Sequence, residues 1–271
     1  MTGTPETKPR REELALLFSG GLDTTLEAVE RLREYRHIHL LTFDNGFCIN
    51  VGGSRRRAAD LGRLLGPERV THVILDTGIL MQDLRRRHQE LIRSYRSPLS
   101  FDLVCKLSAL TELIFYARSR GITDISDGAS KGQTQVFLQH PDFTRSIKPF
   151  PDSYGLKFLE PVHFHVGREE KIALLRKIGL PAGVPGLERL HITSQLAHQP
   201  FCLRGFVTYF FTSPTRSLDI VRRHTLSHEK AKELWDRLLP DARAYLDGKL
   251  AAAGAPPTKP APVGPGSGPT P

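Results

Sequence analysis

An α/β fold built on a doubly wound, mostly parallel sheet is predicted by three features of this chain. Apolar runs of strand length alternate with amphipathic helical runs through its first half, which implies right-handed crossovers and a sheet covered on both faces. The first apolar run stops abruptly at a glycine pair that opens a helix. A later short run ends in Asp127-Gly128, ahead of irregular sequence. Ligands in such sheets bind past the carboxyl ends of the strands, so these endings mark the expected functional edge.

The elements follow in order. LALLF at 14–18 reads as the first strand and 25–35 as a helix. HIHLLTF at 37–43 is a second strand, and 54–65 a second helix. VTHVIL at 70–75 is a third strand, followed by helical patterns over 80–95 and 105–120 and a short fourth strand at 123–126. Residues 131–155, rich in Gln, Pro and aromatics, read as loop. A helix over 168–178 stops at Gly179-Leu180-Pro181, a C-cap glycine followed by a helix breaker. FVTYFF at 206–211 suggests a late strand or buried segment, and 226–250 an amphipathic helix interrupted near Pro240. From Ala251 onward Pro, Gly and Ala dominate, and such sequence buries no core.

The turn after the first strand is Ser19-Gly20-Gly21-Leu22-Asp23-Thr24-Thr25. Adjacent glycines let the backbone turn sharply and present N–H groups. The hydroxyls of Ser19, Thr24 and Thr25 add donors, and the next helix aims its positive N-terminus at the same place. Together they make an anion cradle. The spacing is neither that of a Walker A loop nor that of a G-x-G-x-x-G dinucleotide turn.

Composition narrows the class. A chain of 271 residues, 39% hydrophobic, can bury a large core. No run of 18 apolar residues occurs, so no membrane span is expected. The first residues, MTGTPETKPRREE, are polar and lack an apolar signal core. Three cysteines do not make a disulfide framework, and a cytoplasmic location is expected. The net charge of +9, with Arg55-Arg56-Arg57, Arg85-Arg86-Arg87 and Arg222-Arg223, suits a phosphate-rich partner such as RNA. Solvated helix faces would carry the same excess, so charge leaves the matter open.

The cysteines form a second constellation. Cys105 stands at the start of a predicted helix beside Lys106, and both features favour a thiolate. Cys202 lies in an irregular segment near Arg204, and Cys48 follows the second strand and is placed to approach the site. His163 and His165 lack further ligands at suitable spacing and read as packing residues.

The loop resembles the S-G-G-x-D-S/T loop of the PP-loop ATP pyrophosphatases, which grip the pyrophosphate of ATP. Asp102-Leu103-Val104-Cys105, the strand ending at Gly128 and the later Cys202 resemble the catalytic domain of the tRNA-specific 2-thiouridylases over about residues 12–205. The resemblance implies a Rossmann-like sheet and ATP held by Ser19, Gly20, Gly21, Asp23, Thr24 and Thr25, with Phe43 near the adenine and Gly128 near the nucleotide. It implies Mg²⁺, tRNA contacts from Lys131 and Gln133, and sulfur from a donor protein or inorganic sulfide. Cys202 would carry a persulfide, and Cys105 would attack it or close a transient disulfide; Asp23 and Asp102 complete the catalytic set. Related sulfurtransferases hold an iron–sulfur cluster, which Asp102, Cys105 and Cys202 would ligate here. The implied organisation is a flexible 1–11, an ATP-binding catalytic domain over 12–205, a mostly helical extension over 206–250 and a disordered tail over 251–271. Ser19-Gly20-Gly21-Leu22-Asp23-Thr24 also resembles the loop of argininosuccinate synthase, so an AMP-forming amide ligase remains open, as does a non-catalytic nucleotide- or RNA-binding module.

Overall fold

The computed structural model describes residues 11–97, 99–128, 141–160, 167–181, 201–202 and 226–254. Its centre is a sheet of five strands in the order β4-β2-β1-β5-β6, formed by β1 (Arg11–Leu17), β2 (Tyr35–Asp44), β4 (Val70–Asp76), β5 (Asp124–Asp127) and β6 (Lys157–Leu159). Every neighbouring pair in it is parallel. The chain lays down β1, then β2 and β4 on one side, and returns to place β5 on the other side of β1. The point where the strand order reverses lies at the carboxyl end of β1.

Strand periodicity builds the two faces. Ala15 and Leu17 join one core, whereas Leu14, Leu16 and Phe18 join the other. The first core is closed by α3 (Gly78–Arg87), α5 (Leu99–Ser119) and α9 (His228–Ala252), around Leu107, Leu110, Leu234 and Trp235. The second is closed by α1 (Leu22–Glu34), α2 (Gly52–Leu65) and α8 (Arg168–Lys177), around Leu26, Leu61 and Leu175. Each fully buried leucine contributes about 2 kcal/mol. Buried Glu27 also ties α1 to β5, accepting from Arg31 Nε at 2.8 Å and Ser126 Oγ at 3.0 Å.

Several elements differ from expectation. The pattern over 80–95 is split at His88 into α3 and α4 (Gln89–Ser94), where the imidazole meets Asp241 of α9 at 2.6 Å. Helix α5 begins at Leu99, because Leu99, Phe101 and Leu103 are buried and extend its apolar surface backward. The expected loop over 131–155 contains α6 (Pro141–Ile147) and α7 (Pro149–Asp152), anchored by buried Phe143, Ile147 and Phe150. Helix α9 runs through Pro240 unbroken. Proline removes one donor and crowds the preceding turn, but Leu234, Trp235, Leu238, Ala242 and Leu246 keep both halves buried in one core. Residues 206–211 lie outside the described residues. A second small sheet pairs β3 (Cys48–Ile49) antiparallel with β7 (Phe201–Cys202). Among the described residues, no helix is long and apolar enough to cross a membrane.

Candidate functional site

The glycine turn sits at the switch point between β1 and β5. Gly20 adopts φ +76°, a conformation that favours glycine, and Gly21 forms the N-cap of α1. Gly21 has no side chain with which to cap the helix, so the first-turn N–H groups face outward as anion donors. Around them Ser19 Oγ lies 3.2 Å from Thr24 Oγ1 and accepts from Gly21 N at 3.3 Å. Thr25 Oγ1 donates to Gly21 O at 2.6 Å, which makes Thr25 a brace of the turn.

A hydroxyl–imidazole pair holds the entry to this turn. Thr42 Oγ1 donates to Phe18 O at 2.7 Å, so it accepts from His72 Nε2 at 2.9 Å and fixes the proton of that ring. Burial, helped by the charge of Arg55, pushes the His72 pKa down to about 4, so the ring is neutral at pH 7.

Two lysines reach the same edge from distant helices. Lys171 of α8, 5% exposed, pairs with Asp23 in the first turn of α1. Lys106 of α5 meets Asp127, the last residue of β5, at 2.5 Å. Gly128 follows at once. A Cβ there would stand 2.7 Å from Thr24 Cα and 2.9 Å from Thr24 Cβ, so the chain passes too close to the loop for any side chain.

The thiols converge on one amide. Asn45 stands one residue beyond β2 and is 2% exposed. Phe47 N donates to its Oδ1 at 2.9 Å, which sets the orientation of the amide. Asn45 Nδ2 then donates to Cys105 Sγ at 3.1 Å, and Cys48 Sγ donates to Asn45 Oδ1 at 3.3 Å. The amide therefore donates to one sulfur and accepts from the other, holding both on one side chain. Cys202 stands directly opposite Cys48 in the β3–β7 register.

No family model and no curated protein sequence matches the chain. Among solved structures, a 4-thiouridine synthetase–RNA complex with bound ATP superposes with a TM-score of 0.51 at 19% identity, over 89% of this chain and 53% of that one. The fold is that of the PP-loop ATP pyrophosphatases. This chain spans about half the length of that synthetase. A predicted subunit of tRNA methyltransferase from Methanocaldococcus jannaschii matches with a TM-score of 0.40 at 16% identity, over 61% of this chain and 74% of that one. The U34-tRNA thiolase NcsA from Methanococcus maripaludis, with its [4Fe-4S] cluster, matches with a TM-score of 0.39 at 10% identity, over 94% and 76% of the two chains.

Within the PP-loop fold, several expected roles change. Cys105 is the seventh residue of α5 rather than its first, so the helix terminus does not act on it directly. Lys106 is committed to Asp127, one residue's rotation away around the helix, and is not the partner of the Cys105 sulfur. Asp102 lies in the first turn of α5, on the same helix face as Cys105. Among the described residues, no three carboxylate, imidazole or thiol groups converge to hold a metal, and the side chain of Cys202, the third expected cluster ligand, lies outside them. Phe43 is half-buried against the first core. Lys131 and Gln133 lie outside the described residues.

The basic runs also divide. Arg57 is 1% exposed, donates to Pro181 O, and loses affinity for its proton through burial, to a pKa of about 10. Arg86 and Arg87 pair with Asp83 at 2.8 and 2.7 Å, whereas Arg85 lies over the rings of Phe47 and Phe101 at 5.8 and 5.5 Å. Lys171 was not legible as a site residue, and Asn45 was legible only as part of a loop at the functional edge. The only sequence signal for Asn45 was its place directly after a strand that ends at the functional edge.

Proposed function

We propose that this chain is an ATP-dependent sulfurtransferase that adenylates a carbonyl oxygen of an RNA nucleobase and replaces it with sulfur. The observation that carries this reading is the pair of thiols joined through Asn45 beside the PP-loop. Asn45 follows β2 and Lys106 is fastened to the end of β5, while β1 and its anion cradle lie between those strands. An amide ligase takes its nucleophile from the second substrate and has no use for such a pair.

In this reading the first-turn N–H groups of α1, with Ser19 and Thr24, take the pyrophosphate of ATP. Lys171 neutralises Asp23, so that its carboxylate does not repel the phosphates. Gly128 lets the β5 strand end close against the loop. The activated carbon then carries AMP as leaving group, and sulfur displaces it. Cys202 takes the incoming sulfur as a persulfide from a persulfide-bearing donor protein, which leaves as a thiolate, and Cys105 is the second thiol of the site; inorganic sulfide needs no carrier and displaces AMP directly. Mg²⁺ bound to ATP would offset phosphate charge during attack. RNA as substrate is supported by the net charge of +9, and the structural neighbours named for thiolation of RNA agree with it.

The test is a reaction of the purified chain with ATP, unmodified tRNA and glutathione persulfide, followed by nucleotide analysis and mass spectrometry of the nucleosides. AMP and pyrophosphate should form in step with a thionucleoside, and Cys105→Ser should keep ATP binding but lose the thionucleoside. Release of ADP, or full thiolation by a Cys105→Ser/Cys202→Ser double variant, would overturn the reading.

A further inference from the structure

We propose that Cys48, a thiol to which the scheme above gives no chemical step, is the resolving partner of Cys202, closing a reversible disulfide between β3 and β7 each time sulfur is released. The inference rests on the sulfurtransferase reading and adds the residue that reduces the carried sulfur.

Three observations support it. The two-residue strands β3 and β7 pair antiparallel with Cys48 opposite Cys202 and Ile49 opposite Phe201. Directly opposed residues in such a pair have Cα atoms about 4.5–5.5 Å apart, inside the roughly 4.4–6.8 Å that a disulfide spans. By contrast, Cys105 is on α5, and the Asn45 side chain meets both Cys105 and Cys48. The Cys48 thiol donates to Asn45 Oδ1 while the same amide donates to Cys105 Sγ, so one side chain holds both sulfurs in place. Finally, Cys48 is partly exposed, so a reductant can reach the product.

The chemistry balances as follows. A persulfide donor passes its terminal sulfur to the Cys202 thiolate, and the donor leaves as a thiolate. Cys48, deprotonated, attacks Cys202 Sγ; the bond to the terminal sulfur breaks, its electron pair leaves with that sulfur as hydrosulfide, and a Cys48–Cys202 bond forms. Two thiols are oxidised and one sulfane sulfur is reduced. The hydrosulfide is the nucleophile that displaces AMP. A dithiol reductant then restores both thiols by exchange.

The experiment uses the full chain under nitrogen with glutathione persulfide as sulfur donor. Remaining thiols are alkylated, the chain is digested without reduction, and the linked peptides are identified by mass spectrometry. The expected result is a peptide pair joining Cys48 to Cys202, with Cys105 alkylated and hydrosulfide released at about one per chain. Cys48→Ser and Cys48→Ala should each lower single-turnover hydrosulfide release at least tenfold and leave a persulfide on Cys202, whereas Cys105→Ser should still form the link. A peptide pair joining Cys105 to Cys202, or unchanged release from both Cys48 variants, would overturn the proposal. If neither Cys48 variant folds, the link found in the wild-type chain decides alone. A chain that forms the Cys48–Cys202 link but thiolates no RNA would sink the functional reading and leave this one standing.

Discussion

Replacing His72 with Asn removes the titrating ring. In the folded chain the His72 pKa lies at about 4, chiefly through burial, against an ordinary value of 6.5. Between these values the unfolded chain binds a proton that the folded chain refuses, so stability falls as pH drops from about 6.5 to about 4 and then levels off. The full shift corresponds to about 3 kcal/mol. Partial exposure of the ring reduces this, leaving about 2 kcal/mol. Urea unfolding of the wild type and His72→Asn at pH 7 and pH 4.5 measures it directly. The stability difference between the two proteins should move by about 2 kcal/mol in favour of the variant at the lower pH, or about 4–8 °C in Tm for a chain of this size. Other titrating groups cancel in that comparison. Parallel stability curves for the two proteins would refute the claim that a neutral, half-buried His72 braces the glycine turn through Thr42.

Gly128→Ala should cost about 1–3 kcal/mol and weaken ATP binding, because its Cβ would stand 2.7 Å from the Thr24 backbone; unchanged Tm and ATP titrations would disprove the close approach. Lys171→Met should weaken ATP binding about tenfold by leaving Asp23 without its cation. Adding Asp23→Asn should recover part of that loss in a binding titration, and no recovery would show that Lys171 acts apart from Asp23. Arg57→Met should raise stability by about 1–2 kcal/mol in urea unfolding, since burial holds the Arg57 charge at a pKa of about 10 and two of its guanidinium nitrogens lack partners. A clear loss of stability would instead show that the hydrogen bond to Pro181 dominates. Charge reversal at Arg85 should flatten the salt dependence of tRNA binding in filter assays, whereas reversal of buried Arg57 should act through folding alone.

The sequence by itself determined what short-range chemistry controls. Period-two burial made residues 14–18 a strand inside two cores, and the Gly20-Gly21 pair placed an anion-binding turn where that strand meets a helix. The parallel, doubly wound sheet followed from the alternation of such units, because a crossover helix must return to the same edge. Local signals failed where distant burial outweighed them. Pro240 does not break its helix, since residues on both sides of it fill one core, and α5 extends back to Leu99 for the same reason. Only the tertiary structure decided the working set of the site. Lys171 meets Asp23 across 148 positions of sequence, and Asn45 meets Cys105 across 60. No helix or strand period spans such distances. Those meetings are decided by the order in which strands enter the sheet, which brings the ends of β1, β2 and β5 to one edge, and by the short β3–β7 pairing that sets Cys48 against Cys202.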